Sequence, residues 1–380
     1  MEHILTSEAV TRGHPDKICD QIADAVLDAV LAEEPEARVA CEAAVWENGV
    51  CLFGELTAEK QPDYETIVRR VIREIGYDRP ELGFDADHCT VTIHMHPQST
   101  DIARGVSHRA AEDTGAGDQG IAVGYACRET ADLMPLPITL ANRLVRRLDA
   151  ARQSDALPWL RPDGKAQVSV AYRDGVPTRI TTVVLSAQHD PALSVENLRE
   201  ALRREVILPA LPGELMDDDT LFYINPTGRF VTGGPAGDAG LTGRKLLADT
   251  YGTAARHGGG SFSGKDPTKM DRTGACLARY LAKNIVAAGL ADRCEVQLAY
   301  AIGLADPVSV TVDTFGTGTL RNEVLAGWLE ENVDMRPGVV IRRFGLTRPI
   351  YQALSCYGLC GENARGMPWE RTDLKFPAQF

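Results

Sequence analysis

Basic and acidic side chains are interleaved between residues 229 and 272 in a pattern that suits binding of a Mg²⁺–polyphosphate. Arginine and lysine bind phosphate oxygens through charged hydrogen bonds, and Mg²⁺ prefers one or two carboxylates together with phosphate oxygens. Consecutive glycines at 258–260 would also let backbone N–H groups approach an anion. The alternative is a flexible glycine loop with solvated lysines; the composition favours phosphate. The basic residues are Arg229, Arg244, Lys245, Arg256, Lys265, Lys269 and Arg272, and the acidic ones are Asp238, Asp249, Asp266 and Asp271.

A second group with chemical potential is His14-Pro15-Asp16-Lys17, at the predicted start of the first helix. A helix N-terminus favours anions and offers free N–H groups. A carboxylate there could hold Mg²⁺ shared with a polyphosphate. The alternative role of Asp16 is to cap the helix. Lys165, which follows Asp163-Gly164, is a further phosphate candidate whose alternative is an ordinary turn lysine.

Two glycine motifs resemble nucleotide-binding signatures but lack the context those signatures need. Residues 115–120 fit G-x-G-x-x-G, but a polar loop precedes them and a predicted strand follows, whereas a dinucleotide site needs a strand first and a helix second. Residues 259–265 fit G-x₄-G-K, but Asp266 stands where a P-loop has the Ser or Thr that binds Mg²⁺. We therefore expect neither an NAD site nor a Walker site, and we keep the second motif as a phosphate-binding loop.

Two glutamates of the first predicted hairpin point to a bound cation. If Asn48-Gly49 forms a two-residue turn, Glu42 lies directly opposite Glu55. Like charges that face each other across two strands destabilise a sheet, so a metal ion, a ligand amine or a basic side chain should neutralise them. The alternative is a solvated face on which the repulsion is screened.

The elements that must position these residues follow one order three times: helix, strand, strand, helix, strand. The first helix is amphipathic, since Ile18, Ile22 and Val26 recur on one face while Asp20, Asp24 and Asp28 follow another. In that order, the first unit comprises 17–33, 38–46, 50–56, 62–75 and 89–95. The second comprises 137–152, 166–173, 178–186, 194–207 and 221–224. The third comprises 271–288, 293–302, 308–313 and 319–333, without a final strand.

This order predicts an α+β protein of three structurally similar α/β-sandwich domains with pseudo-threefold symmetry, each sheet covered by helices on one face. The expected limits are 1–96, 121–232 and 233–380, and the three domains are expected to be interwoven. Residues 97–120 form an irregular stretch rich in Gly, Asp, Ser and Thr. It is longer than the ~12–15 residues of an ordinary loop, so we expect a mobile active-site loop or linker there.

Composition excludes several classes of protein. The 380 residues include 40 basic and 53 acidic side chains, which gives a net charge of −13 at pH 7, so a nucleic-acid partner is not expected. With 44% apolar and 24% charged residues, the chain is neither disordered nor fibrous. No apolar run approaches the ~18 residues of a membrane span, and the N-terminus does not read as a signal peptide. Nine scattered cysteines contain no C-x-x-C pair, so we expect a reduced, cytoplasmic, enzyme-sized protein without a membrane partner.

Several long motifs resemble those of the S-adenosylmethionine synthetase family over essentially the whole chain. They are His14-Pro15-Asp16-Lys17, the glycine motifs at 115–120 and 258–266, Ile224-Asn225-Pro226-Thr227-Gly228-Arg229-Phe230 and Leu241-Thr242-Gly243-Arg244-Lys245. The resemblance implies that the sulfur of L-methionine attacks C5′ of ATP and that the released triphosphate is cut to pyrophosphate and phosphate. It also implies two Mg²⁺ per site, K⁺, and a homodimer with active sites between subunits, often paired as a dimer of dimers.

The same resemblance implies roles for individual residues. It places His14 at the departing oxygen of ATP and makes it catalytic together with the phosphate-binding Lys165, Arg244, Lys245 and Lys265. The full set of expected ATP-binding residues is His14, Asp163, Lys165, Arg229, Phe230, Asp238, Arg244, Lys245, Ser261 and Lys265. The expected methionine-binding residues are Glu55, Gln98, Asp118, Asp238 and Lys269. Asp16 and Asp271 are the expected Mg²⁺ ligands, and Glu42 is the expected K⁺ ligand.

Two other functions compete with this interpretation. A non-catalytic subunit that regulates an active partner should have lost phosphate-binding or metal-binding residues, but His14, Asp16, Lys165, Lys265 and Asp271 are all present. A different nucleotide-dependent transferase on the same scaffold would be favoured only if methionine failed as a substrate.

Overall fold

The computed structural model describes residues 2–98 and 115–380. In chain order the helices and strands of these residues are β1 (Glu2–Val10), α1 (Pro15–Glu33), β2 (Arg38–Trp46), β3 (Gly49–Thr57), α2 (Tyr64–Ile75), β4 (Thr90–His96), β5 (Gly120–Cys127), α3 (Leu136–Gln153), β6 (Leu160–Arg173), β7 (Val176–His189), α4 (Val195–Leu202), α5 (Leu208–Ala210), β8 (Leu221–Ile224), β9 (Gly240–Leu241), α6 (Leu246–Asp249), α7 (Met270–Ala287), β10 (Arg293–Tyr300), β11 (Ser309–Asp313), α8 (Asn322–Asn332) and α9 (Pro337–Phe344). A π-helical segment, Arg203–Ile207, joins α4 to α5.

The predicted order of elements is confirmed in all three units, with ends that differ by a few residues. Local signals account for several of these ends. The side chain of Ser194 caps α4 by accepting a hydrogen bond from the N–H of Asn197. Gly76 ends α2 in the left-handed conformation, with φ of 110°, which glycine adopts without strain. The α+β prediction is therefore confirmed, and it follows from short-range sequence features.

The strands form three sheets with the orders β4-β3-β2-β9, β1-β6-β7-β8 and β11-β10-β5. Three of these strands join a sheet whose other members lie far away in the chain. Strand β1 pairs antiparallel with β6, β5 pairs antiparallel with β10, and β9 pairs antiparallel with β2. Strand β1 was not predicted, because a partner more than 150 residues away leaves no local periodic signal. The expected domain limits stay a prediction.

Each sheet packs one face against helices and leaves apolar side chains exposed on the other. Along β2, buried residues alternate with partly exposed ones, and the buried set packs with α1 and α2 in one core cluster. Exposed Trp46 and Phe53 belong to the open face of this sheet, and exposed Tyr223 and Ile121 to the open faces of the other two. The helical layer therefore covers each sheet on one side.

The hairpin between β2 and β3 turns one residue earlier than predicted. Its two-residue turn is Glu47-Asn48, and Gly49 is already the first residue of β3, directly opposite Trp46. A Cβ atom on Gly49 would lie 2.4 Å from the indole ring of Trp46. Glycine is therefore needed here for packing against a cross-strand tryptophan, not for the turn that an Asn-Gly pair usually forms.

This register contradicts the predicted direct pairing of Glu42 with Glu55. Glu42 lies opposite Phe53, and Glu55 lies opposite Ala40. The shift amounts to two residues, so both glutamates remain on one face of the sheet as diagonal neighbours. The prediction that they face each other was wrong, and repulsion between them is weaker than the predicted register implies.

In the part of the chain that the structure describes, no helix is both long and apolar enough to cross a membrane.

The G-x-G-x-x-G motif at 115–120 leads into β5, and its glycines serve close backbone contacts. A Cβ on Gly115 would lie 2.5 Å from the carbonyl oxygen of Gly303, and one on Gly117 would lie 2.9 Å from that of Thr268. The predicted mobile loop at 97–120 falls largely on residues 99–114, outside the described residues.

Candidate functional site

Four aspartates on α1 hold the loops that contain most of the candidate site. Asp16, Asp20, Asp24 and Asp28 are four residues apart and share one face of the helix. Each accepts hydrogen bonds from backbone N–H groups far along the chain. The donors are Leu241 to Asp16 (3.1 Å), Gly243 to Asp20 (2.9 Å), Gly264 to Asp24 (2.9 Å), and Tyr351 and Gln352 to Asp28 (2.9 Å each). The polar face of the predicted amphipathic helix is therefore buried against these loops instead of being solvated.

Cations compensate for this row of negative charge. Lys17 is buried and contacts Asp20 at 2.9 Å, Asp249 and the carbonyl oxygen of Ser355. Arg272 donates two hydrogen bonds to Asp24, at 2.8 and 2.7 Å. Buried carboxylates without such partners would be strongly unfavourable. Lys17 belongs to the motif at the start of α1, but nothing in the sequence indicated that its side chain would be buried and paired with aspartates.

The first group of candidate site residues, here called the His14 cluster, consists of His14, Asp16, Arg244 and Lys245. The side chain of Asp16 is buried, with one oxygen 2.6 Å from Lys245 Nζ and the other 3.5 Å from Arg244 Nε. Burial alone would raise the pKa of Asp16, but the hydrogen bonds from Lys245 and from the N–H of Leu241 lower it overall. The carboxylate is therefore ionised and held between two cations.

His14 caps α1, and its electrostatic surroundings keep it neutral. Its Nδ1 accepts a hydrogen bond from the N–H of Asp16 at 3.2 Å. Burial, together with the positive charge of Lys245, lowers the pKa of His14 to about 4. Because Nδ1 is an acceptor, the proton of the neutral ring is on Nε2, which can donate a hydrogen bond to a bound group.

The second group, here called the Asp271 cluster, consists of Glu42, Lys265 and Asp271. Lys265 Nζ lies 2.5 Å from a carboxylate oxygen of Asp271 near the start of α7. Burial raises the pKa of Glu42, while Lys265 opposes that shift. Gly260 brings the glycine loop against Asp271, since a Cβ on Gly260 would lie 2.0 Å from the carboxylate. The glycine loop therefore lies against a candidate Mg²⁺ ligand, as a phosphate-binding loop would.

The part of the β2 edge that β9 leaves uncovered fixes the position of this second group. The N–H of Cys41 donates to the carbonyl oxygen of Gly264 at 2.9 Å, and the N–H of Asp266 donates to that of Val39 at 2.9 Å. Gly264 has φ of 77°, and a Cβ there would lie 1.8 Å from the carbonyl oxygen of Cys41. Only glycine permits this approach, so the second glycine of the G-x₄-G-K match has a backbone role.

The remaining expected ATP residues have different surroundings. Lys165 is half exposed and pairs with Glu8 at 2.8 Å. Asp163 is buried, accepts the N–H of Gly234 at 2.8 Å, and has its pKa raised to about 6 by burial. Arg229 and Asp238 are exposed, and Phe230 and Ser261 are partly exposed. Gly243 packs directly against Ser261, which brings the two site loops together.

The expected methionine residues are not all free to bind a ligand. Lys269 is buried and paired with Asp266, which also accepts the N–H of Val39 at 2.8 Å. Glu55 is partly exposed and lies 3.8 Å from His96. Gln98 and Asp118 are at the two ends of the undescribed segment, and Asp118 is exposed.

His257 was missed by sequence reasoning. Its Nδ1 accepts the N–H of Gly259 at 2.8 Å, and its ring lies 5.8 Å from that of Phe262. It therefore stabilises the shape of the glycine loop from inside. Its position immediately before three glycines was the one available signal.

Among the described residues there is no group of three His, Cys, Asp or Glu that could hold a metal ion.

Comparison with known protein families decides what this arrangement belongs to. Models of the three S-adenosylmethionine synthetase domains match the chain: the N-terminal domain at residues 2–100, the central domain at 113–230 and the C-terminal domain at 232–371. The chain belongs to the S-adenosylmethionine synthetase family. The resemblance found in the motifs is thereby confirmed, as is the three-domain organisation.

Members of the S-adenosylmethionine synthetase family have methionine adenosyltransferase activity, and this chain is an enzyme of that kind. It makes S-adenosylmethionine from ATP and methionine. The family requires metal ions. The competing assignment to a different nucleotide-dependent transferase is therefore wrong, since all three domains belong to this one family.

Proposed function

We propose that the His14 cluster and the Asp271 cluster together bind the phosphates of ATP and stabilise the departing triphosphate. A thioether sulfur is a neutral nucleophile without a proton, so its attack on C5′ needs no general base. The barrier then depends on the charge that develops on the leaving group, which positioned cations stabilise. The observation that carries this proposal is that Lys245 and Lys265 are each fixed beside an aspartate, Asp16 and Asp271, at 2.6 and 2.5 Å.

In this proposal His14 donates a hydrogen bond from Nε2 to the oxygen that leaves C5′. The ring is oriented by its Nδ1 contact with the N–H of Asp16, and it is neutral because its pKa is lowered to about 4. A neutral donor strengthens its hydrogen bond as the oxygen gains charge in the transition state. Lys165 and Arg244, both partly free towards solvent, add positive charge for the phosphates.

We assign two Mg²⁺ to Asp16 and Asp271. The donor set fits, since Mg²⁺ is usually bound by one or two carboxylates plus substrate phosphates and needs no cage of protein ligands. Both carboxylates are now paired with lysines that also suit phosphate. When bound, Mg²⁺ neutralises phosphate charge. In each of the two clusters, this chain would supply one carboxylate to the metal ion and would keep the neighbouring lysine within reach of the same phosphates.

The remaining substrate contacts follow the resemblance. We propose that Arg229, Phe230 and Ser261 line the nucleotide, and that Asp163 acts indirectly through its contact with Gly234. Methionine is assigned to Glu55, Gln98, Asp118, Asp238 and Lys269, and the ammonium of methionine pairs with Glu55. Because Lys269 is paired with Asp266, it would contribute by holding the loop that contains Asp266 and by adding positive charge near the bound methionine.

We further propose a homodimer, paired into a dimer of dimers, with active sites between subunits. One feature supports it. The open face of each sheet exposes apolar side chains, among them Trp46, Phe53, Ile121 and Tyr223. Exposed apolar groups of this kind are typical of surfaces that a partner covers.

Product analysis tests the proposed reaction sequence. The protein is incubated with ATP, methionine, Mg²⁺ and K⁺, and S-adenosylmethionine, pyrophosphate and phosphate are measured over time. We expect the three products in equal amounts, because triphosphate is cut before the product leaves. Accumulation of triphosphate in step with S-adenosylmethionine would contradict the hydrolysis step without contradicting adenosyl transfer.

A K⁺ titration tests the role of Glu42. Its carboxylate lies in a partly buried place that raises its pKa, so a monovalent cation there would stabilise the ionised form. We expect Glu42→Gln to lose most of the activation by K⁺ while methionine still saturates the enzyme normally. Glu55→Gln serves as the matched control: it should raise the KM for methionine and keep the K⁺ response. Full K⁺ activation in Glu42→Gln would place the cation elsewhere.

A further inference from the structure

An open pocket of about 540 Å³ lies where Arg12, one face of α1, the end of α3 and residues 352–363 meet. None of the residues assigned above to ATP, methionine or metal ions lines it. Two arginines, Arg12 and Arg146, contribute to its wall together with the side chains of Gln21, Tyr357 and Asn363. The carboxylates of Asp28 and Asp149 also line it.

Both arginines have unused hydrogen-bond donors. Arg12 donates from Nε to Gln21 at 2.9 Å, while its two terminal nitrogens have no hydrogen-bond or ion-pair partner among the described residues. Arg146 donates from one terminal nitrogen to Asn363 at 3.0 Å and lies over the ring of Tyr357, 5.2 Å from its centre. The other nitrogens of Arg146 have no such partner within residues 2–98 and 115–380. Each guanidinium is therefore oriented by the protein but forms no ion pair with a carboxylate of the described residues.

The acids that line the pocket already accept hydrogen bonds from the protein. One oxygen of Asp149 accepts both the N–H of Arg12, at 3.1 Å, and the hydroxyl of Tyr357, at 2.7 Å. Each oxygen of Asp28 accepts one backbone N–H, from Tyr351 and Gln352. These carboxylates thus position the backbone of Arg12 and the pocket wall. Among the described residues neither carboxylate forms an ion pair with Arg12 or Arg146, although the charge of Arg12 is close enough to Asp149 to oppose the rise that burial causes in the pKa of that carboxyl.

We propose that this pocket is a second binding site, for a small anion with carboxylate or phosphate groups held between Arg12 and Arg146. Guanidinium groups present parallel N–H donors that match the oxygens of carboxylates and phosphates. The stacking of Arg146 on Tyr357 and the hydrogen bond of Arg12 to Gln21 hold both side chains before a ligand arrives, which lowers the entropy cost of binding. The site is separate from the one that binds ATP and methionine.

Binding is tested with citrate and inorganic phosphate as probes. The active site is first saturated with S-adenosylmethionine and a non-hydrolysable triphosphate analogue, which cannot react further, so that phosphate does not report on it. Calorimetry gives the affinity, and hydrogen exchange locates the site. We expect at least one probe to bind saturably and to increase protection in 146–153 and 352–363. Binding of phosphate alone would identify a phosphate-bearing ligand, and binding of citrate alone would identify a polycarboxylate.

Matched variants separate a specific site from general charge. Arg146→Gln should weaken binding at least about tenfold, because a hydrogen bond to a charged group is lost. Arg147→Gln removes the same charge from the same helix, but Arg147 donates to the carbonyl oxygen of Glu205 and is not part of the pocket. It should bind normally. Arg12→Gln is a second pocket variant if Arg146→Gln does not fold. No saturable binding, equal weakening in Arg147→Gln, or protection elsewhere would overturn the proposal.

Discussion

Replacing His14 by asparagine is expected to lower the rate of S-adenosylmethionine formation by about 10²–10³-fold, the typical cost of a lost transition-state hydrogen-bond donor. Asparagine is also a good helix cap, so its side-chain oxygen can keep the contact that His14 Nδ1 makes with the N–H of Asp16. It is too short to place a donor where Nε2 is. The structural role is therefore retained while the proposed chemical role is removed.

Two measurements distinguish this from a general defect. Hydrolysis of added triphosphate should change only a few-fold in His14→Asn, because the proposed donor acts at the oxygen that leaves C5′. The thermal midpoint should stay close to that of the native protein. The same change at His88, an exposed residue next to Asp85, should alter neither activity. An equal loss of both activities in His14→Asn would contradict the assignment.

Replacing Lys17 by methionine is expected to lower the free energy of unfolding by about 3–5 kcal/mol, the usual cost of leaving buried carboxylates without their cation. The Lys17 side chain is only 3% exposed and contacts both Asp20 and Asp249. These two carboxylates raise the pKa of Lys17 against the opposing effect of burial, so the lysine is charged in the folded protein. Methionine has a similar length but no charge.

The comparison needs fixed protein concentration, because the stability of the proposed oligomer would depend on concentration. Lys60→Met, an exposed substitution of the same type, should change stability by no more than about 0.5 kcal/mol. The double variant Lys17→Met/Asp249→Asn should recover part of the loss, since one of the uncompensated charges is then removed. If Lys17→Met proves as stable as Lys60→Met, α1 is not held by this buried ion pair.

Much of this protein was readable from its sequence because the relevant signals are local. Helix ends at Ser194 and Gly76 depend on capping within a few residues, and alternation within each strand sets its buried face. The chemistry was also readable, since the lysines, aspartates and glycines of the site occur in short motifs. Those motifs led to the family, and the family led to the reaction.

The tertiary structure alone decided how these pieces meet. Aspartates four residues apart have the same spacing in a sequence whether they are solvated or buried. Only the folded structure shows that the aspartates of α1 accept hydrogen bonds from the backbone N–H groups of the loops at 241–243 and 264. In the register of the first hairpin, Gly49 lies opposite Trp46 and outside the turn, which the turn residues alone did not indicate. Strand β1 and the pair of Lys269 with Asp266 likewise depend on their surroundings. Long-range hydrogen bonds and charge pairs leave no periodic trace along the chain, because their partners are brought together only by folding.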